Sequence, residues 1–440
     1  MAIHALWEDR YGLSIRKGPL DLTNFTSGVD QASHDNDGAP TTSGAVGGDY
    51  HFNPIAHTTV ATVGQAIGQR TTAGGAVIFG MPVIGNPDFS TGQENIEVQK
   101  TDGFATQRVG ASNEASDIFR SGQNPSASFD FVATGKSLVH AGLLFFQAGV
   151  KEDTTTGNIK HMKFPNNTDG SDPLYYGTFL RKISTAASNS RALSDGVGTS
   201  FSLRASQSEP LTCGLGMSGR ILVTDFNVTS DINGTLDEAE IFGLDGKKNY
   251  LLQDSIVTFE DSTGADVALA AESFDINCSS EVAPNRFNTF FPLNLVLGNY
   301  TIDGSFTIPA LGKGTRAAYV TGNVFQELLA DAGTGASAGQ SAYFTPRLLT
   351  FNWVTAVTGE PGDSITLSNP AAAQDLQVRV NAIITDVSWG GDNETTMTIS
   401  WRGLNQFDAG TDNIATDGDA LKIMYYDDIE ETWGHVTGAV

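Results

Sequence analysis

The chain has 440 residues, 40% of them hydrophobic, enough for about two to three domains with packed cores. Its 49 glycines, set among many Val, Ile, Thr and Phe residues, point to strands joined by turns and not to a helical bundle. A formal net charge of −25 and a pI near 4.4 make the surface repel phosphate, which argues against specific DNA or RNA binding and against docking on anionic membranes.

Residues 1 to 60 are poor in strand pattern, and Asp30 to Tyr50 has the composition of turns and loops. This region is expected to be an arm ordered only by contact with something else. Met1 to Arg10 has no apolar run of the kind a secretory signal carries, so synthesis in the cytoplasm without export is expected. No stretch reaches the ~18 apolar residues of a membrane span.

Beyond residue 60, alternation of polar and apolar residues predicts strands at 95–100, 126–132, 199–203, 220–228, 273–277, 305–308, 348–354, 376–385 and 395–401. Helices are predicted at Ser137 to Gln147 and Thr315 to Ala330, each followed closely by an Ala-Gly stop. Cys213 and Cys278 lie in different regions with no CxxC pattern and read as two free buried thiols.

The order of landmarks occurs twice. Glu94 matches Glu272, and Arg108 matches Arg286, both 178 residues on. Gly135-Lys136 matches Gly312-Lys313 at an offset of 177, before each predicted helix. Asp225 matches Asp386 at an offset of 161, and both lead through an Asn-containing turn to Gly-Leu. The expected fold is all-β: two tandem β-barrel or sandwich modules, each with one short helix, plus long loops and the N-terminal arm. The boundaries are 1–60 for the arm, 61–248 and 249–408 for the modules, and 409–440 for a C-terminal segment. A duplicated module suits a ring, because successive modules then present matching interfaces.

SASFDFVATGKSLVHAGLLFF and GSFTIPALGKGTRAAYVTGNVFQELL, with ESFDINCSSEVAPNRF and GNYTIDGSFTIPA ahead of the second, resemble the strand-to-helix passage of siphovirus-type phage tail tube proteins in their duplicated form. The resemblance covers about residues 90 to 408 and rests on element order, with no invariant motif. It implies a homotrimer forming a pseudo-hexameric ring, with an inner β-barrel wall joined by edge pairing between neighbours. Rings would stack into a tail tube around a tape-measure protein, capped by terminator or tip proteins. Genomic DNA would pass through without specific binding. The implied location is the virion tail.

Chemical motifs are few. Thr134-Gly135-Lys136-Ser137 looks like the end of a phosphate-binding loop, but the required earlier Gly is Asp130, so a turn into a helix is the plainer reading. Asp231-Ile232-Asn233-Gly234 lacks the further ligands of a calcium loop and reads as a hairpin turn. The seven histidines show no metal spacing. No catalytic, cofactor or metal residue is expected. Glu94, Arg108, Lys136, Glu272, Arg286 and Lys313 stand out because they recur. They are candidate inter-module contacts; for the arginines the alternative is a salt bridge within one module, and the lysines could instead cap a loop or face a lumen. The rival functions are a virion decoration or adhesion protein, or a neck component.

Overall fold

The computed structural model of the protein describes residues 10–17, 66–67, 79–98, 117–147, 149–154, 157–163, 175–182, 190–226, 249–260, 264–286, 292, 294–309, 346–360, 363–372, 374–390, 396–404 and 420–426. Of these, 69% lie in strands. The fold is all-β.

In chain order the strands are β1 (Arg10–Lys17), β2 (Ala66–Ile67), β3 (Phe79–Gly80), β4 (Val83–Ser90), β5 (Gln93–Val98), β6 (Asp117–Gln123) and β7 (Ser126–Val132). Helix α1 (Gly135–Phe146) follows, then β8 (Gly149–Thr154), β9 (Gly157–Lys163), β10 (Tyr175–Lys182), β11 (Ser190–Ser206), β12 (Thr212–Ser218) and β13 (Ile221–Phe226). After a short 3-10 turn come β14 (Ile256–Glu260), β15 (Asp266–Leu269), β16 (Ser273–Asn285), β17 (Asn294–Pro309), β18 (Arg347–Trp353), β19 (Ser364–Ile365), β20 (Leu376–Gly390), β21 (Thr396–Gly403) and β22 (Leu421–Tyr426).

All but β5 and β6 join one large sheet, and every pairing is antiparallel. Eight strands run side by side in the order β4–β7–β12–β11–β16–β17–β21–β20. The two long strands β11 and β20 each carry a β-bulge, between Gly198 and Ser200 and between Ile384 and Asp386. A bulge bends and twists a strand, so one strand can serve two sets of partners. Before its bulge β11 pairs with β10 and β13, and β10 continues to β1. Before its bulge β20 pairs with β18 and β22, and β18 continues to β14.

The same pairing network therefore appears twice. The row Val132–Thr212–Arg204 in the first half corresponds to Pro309–Thr396–Gly390 in the second. The offsets are 309 − 132 = 177, 396 − 212 = 184 and 390 − 204 = 186. With the last offset, the bulge at 198/200 falls on the bulge at 384/386. The hairpins match as well: Ser90 pairs with Ser126 and Asn277 with Asp303, and 303 − 126 is again 177.

Four sequence expectations change. Asp225 and Asp386 are not equivalent: Asp225 lies on β13, which pairs with the start of β11, whereas Asp386 on β20 takes the place of Ser200 on β11. The N-terminal region contains β1, which pairs with β10 along all eight residues and buries Leu13 completely. Its short run hides the alternation in a polar neighbourhood. The C-terminal segment contains β22, whose Leu421 and Ile423 lie in the core. Glu94 and Glu272 do not hold equivalent places: the hairpin register puts Ser90 opposite the role of Asn277, an offset of 187, whereas the motif match gave 178. The second predicted helix, Arg108 and Lys313 lie outside the described residues.

One core cluster runs through both halves, from Leu13 and Phe129 to Ile399 and Tyr425. Helix α1 starts where Thr134 caps the Ser137 amide in a capping box, and it stops at Gln147 in the left-handed conformation. The Gln147 side chain locks that end, donating to the Tyr175 carbonyl and accepting from the Tyr175 amide. Leu138, Leu143, Leu144, Phe145 and Phe146 are buried, and Phe201 of β11 meets both phenylalanines. At Gly198 a Cβ would come 2.7 Å from the Phe145 Cα, so glycine there lets helix and strand touch backbone to backbone.

Candidate functional site: a polar sheet face and two open edges

Strand alternation gives the eight-strand sheet two unlike faces. Ala127, Phe129 and Phe131 on β7, Phe201 and Leu203 on β11, Phe274 and Ile276 on β16, and Ile399 and Trp401 on β21 point into the core. Their neighbours in sequence point the other way, and these are small and polar: Ser126 and Ser128, Ser200 and Ser202, Asn277 and Ser279, Thr398 and Ser400. The face carries no lysine. Its charged residues are Asp88, Asp130, Asp275, Asp303 and Asp386 against Arg204 and Arg402, five minus two, a net charge of −3.

Polar side chains on this face bond to one another, both between strands and along β16. Arg204 donates to Asp130 at 2.9 Å, and Ser279 and Thr301 share a 2.8 Å hydrogen bond. Asn277 donates to Asp275 at 2.8 Å, Ser305 donates to the same carboxylate, and Thr307 and Thr398 lie 3.1 Å apart.

The face is continuous because β11 of the first half pairs with β16 of the second over Ser200–Ser206 and Ser273–Ser279. Two further contacts brace this joint. Arg286, just past the end of β16, donates from Nη1 to Glu94 Oε2 at 2.8 Å and from Nη2 to Glu94 Oε1 at 3.0 Å, and it also donates to Asn124. The Arg286 guanidinium holds the Glu94 carboxyl below its ordinary value of 4.5. Arg220 forms a fully buried ion pair with Asp195 at 2.7 Å and donates from Nε to the Pro292 carbonyl ahead of β17. Asp195 has a φ of 51° at the bulge of β11 against β10.

Of the six recurring charged residues, the structure brings Glu94 and Arg286 together, 192 positions apart in sequence. Glu272 is half-buried before β16, with its backbone bonded to Gln207 and Thr307. Lys136 sits in the first turn of α1. The pair Asp195–Arg220 was not singled out from sequence, because neither residue recurs: the position matching Asp195 is Asn381, 186 residues on, which instead donates to the Leu404 carbonyl. The alternating Ser and Thr residues were visible, but only strand register shows that they share one face.

Among the described residues, no group of three His, Cys, Asp or Glu side chains is placed to hold a metal ion. Cys213 and Cys278 are free and buried, and burial pushes both thiols well above their usual range, so they are poor nucleophiles. An open groove beside Ile302, Ile383, Arg402 and Leu404 is largely apolar and has no carboxylate or thiol in its lining. No helix among the described residues is long and apolar enough to cross a membrane. No protein-family model matches the chain, and no curated protein matches it.

Proposed function

We propose that this chain is a structural protein that assembles into rings stacked as a tube, the tail tube of a long-tailed virus, through which the genome passes. The observation that carries this reading is the eight-strand sheet with one greasy face and one face of small, interlocked, net acidic polar groups. A duplex passing along such a wall meets few cations, so little counterion release favours sticking. The resemblance in the strand-to-helix segments supports the same reading, as does the twice-used pairing network.

Three chains would contribute 3 × 8 = 24 strands to one wall. At about 4.8 Å per strand and ~40° tilt, a closed barrel of that size has a backbone diameter of roughly 50 Å. Small side chains leave most of that width open to a duplex. The tape-measure, terminator and tip proteins, and a place in the virion tail, belong to the same proposal. Negative-stain microscopy of the purified protein tests it: rings or tubes support it, while isolated compact monomers favour a decoration or adhesion role.

A further inference from the structure

We infer that the joint inside the chain is also the joint between chains: the end of β20 pairs with β4 of the next copy, in the register that β11 keeps with β16. This inference rests on the assembly reading above and specifies its contact surface.

The register follows from the repeated network. Ser202 of β11 pairs with Asn277 of β16. The matching residue for Ser202 is Ser388, 186 positions on, and the matching residue for Asn277 is Ser90, 187 positions back. Ser388 therefore comes opposite Ser90 of the neighbouring copy. Val387 then faces Thr91, and Gly390 faces Asp88. Among the described residues, the end of β20 pairs only with β21, and β4 only with β7. Each strand thus offers one unpaired edge, a template for a further strand.

Burial gives a second, independent sign. At the internal joint, Phe201 and Ile276 are fully buried. Their counterparts at the open edges are Val387 and Phe89, which pack on the core but stay partly exposed. A neighbouring copy docked in the inferred register would cover both, as the joint covers Phe201 and Ile276. The occupant is thereby defined as a second copy, because each edge is the partner type of the other. The contact is head-to-tail, so it repeats around a ring and leaves no edge once closed.

The test is a pair of substitutions, Ser90→Cys with Ser388→Cys. Directly opposed residues in antiparallel strands are close enough for a disulfide, and diagonal ones generally are not. Under mild oxidation of the assembled full chain, the pair should give a ladder of covalent oligomers ending at the closed ring. The off-register pair Ser90→Cys with Asp386→Cys should give little product. A second measurement guards against a misfolded variant: a bulky maleimide on Ser388→Cys should stop assembly, while the same label on Glu209→Cys, an exposed turn residue, should not. Rings that form without cross-linking above the off-register control would overturn the inferred register and leave assembly standing. A chain that stays monomeric, with both variants folded, would overturn the register and the assembly reading together.

Discussion

Single residues bind the two halves of the chain, and two of them do so in opposite electrostatic settings. The Arg220–Asp195 pair is fully buried, and removing one partner leaves a charge without compensation. Arg220→Ala should therefore cost about 3–5 kcal/mol in denaturant unfolding, with a loss below about 1 kcal/mol counting against a structural pair. Glu94–Arg286 is largely exposed on the carboxylate side and should contribute at most about 1 kcal/mol. Its pH dependence has a definite sign. The folded carboxyl is held below 4.5, so the pair stabilises above that value and loses its effect as pH falls through the depressed folded value. The melting-temperature gap between wild type and Glu94→Gln should be present at pH 7 and should close in acid; a gap of constant size would show that some other contact is responsible. Both thiols should resist maleimide in the native state and react once the chain unfolds.

At the scale of elements, the long strands decide what the rest can do. Phe201 lies at the crossing of β11, β16 and α1, so Phe201→Ala should cost about 3–5 kcal/mol. Val387, its counterpart at the open edge, should cost much less in the unassembled chain, and calorimetry of both variants reads the difference. Thr134→Ala should weaken α1 by about 1 kcal/mol through loss of its cap. Much of this was legible in the sequence. The alternation in SASFDFV marks β7 to the residue, and Leu376 to Thr385 lies within β20. Helix α1 begins two residues before the expected Ser137, because the Thr134 cap and not the apolar run sets its start. Strands β1 and β22 went unread, since eight and six residues in polar surroundings carry little periodic signal and gain their partners from distant segments. The motif offset for Glu94 failed for a related reason: Asp117 follows Val98 by 19 positions whereas Asn294 follows Asn285 by 9, so the equivalence runs at 187 before this connection and at 177 after it, a length change that a local motif match does not reveal.

For the whole molecule, the polar sheet face proposed as the functional surface is a property of eight strands in register and of no single motif. The Ser and Thr residues gain meaning only when β7, β12, β11, β16, β17 and β21 are set side by side. Its charge can be tested in function. Ser128→Arg with Ser202→Arg would place two cations per chain on the wall, and assembled particles should then retain duplex DNA at low salt and release it at high salt. Equal passage of DNA through wild-type and variant tubes would place the polar face elsewhere. The most direct measurement is electron cryomicroscopy of the assembled protein at a resolution that separates strands. A tube-forming chain of this design should show a closed inner wall with eight strands per chain and the Ser, Thr and Asp face turned to the lumen; monomers, or an assembly with that face outside, would contradict it.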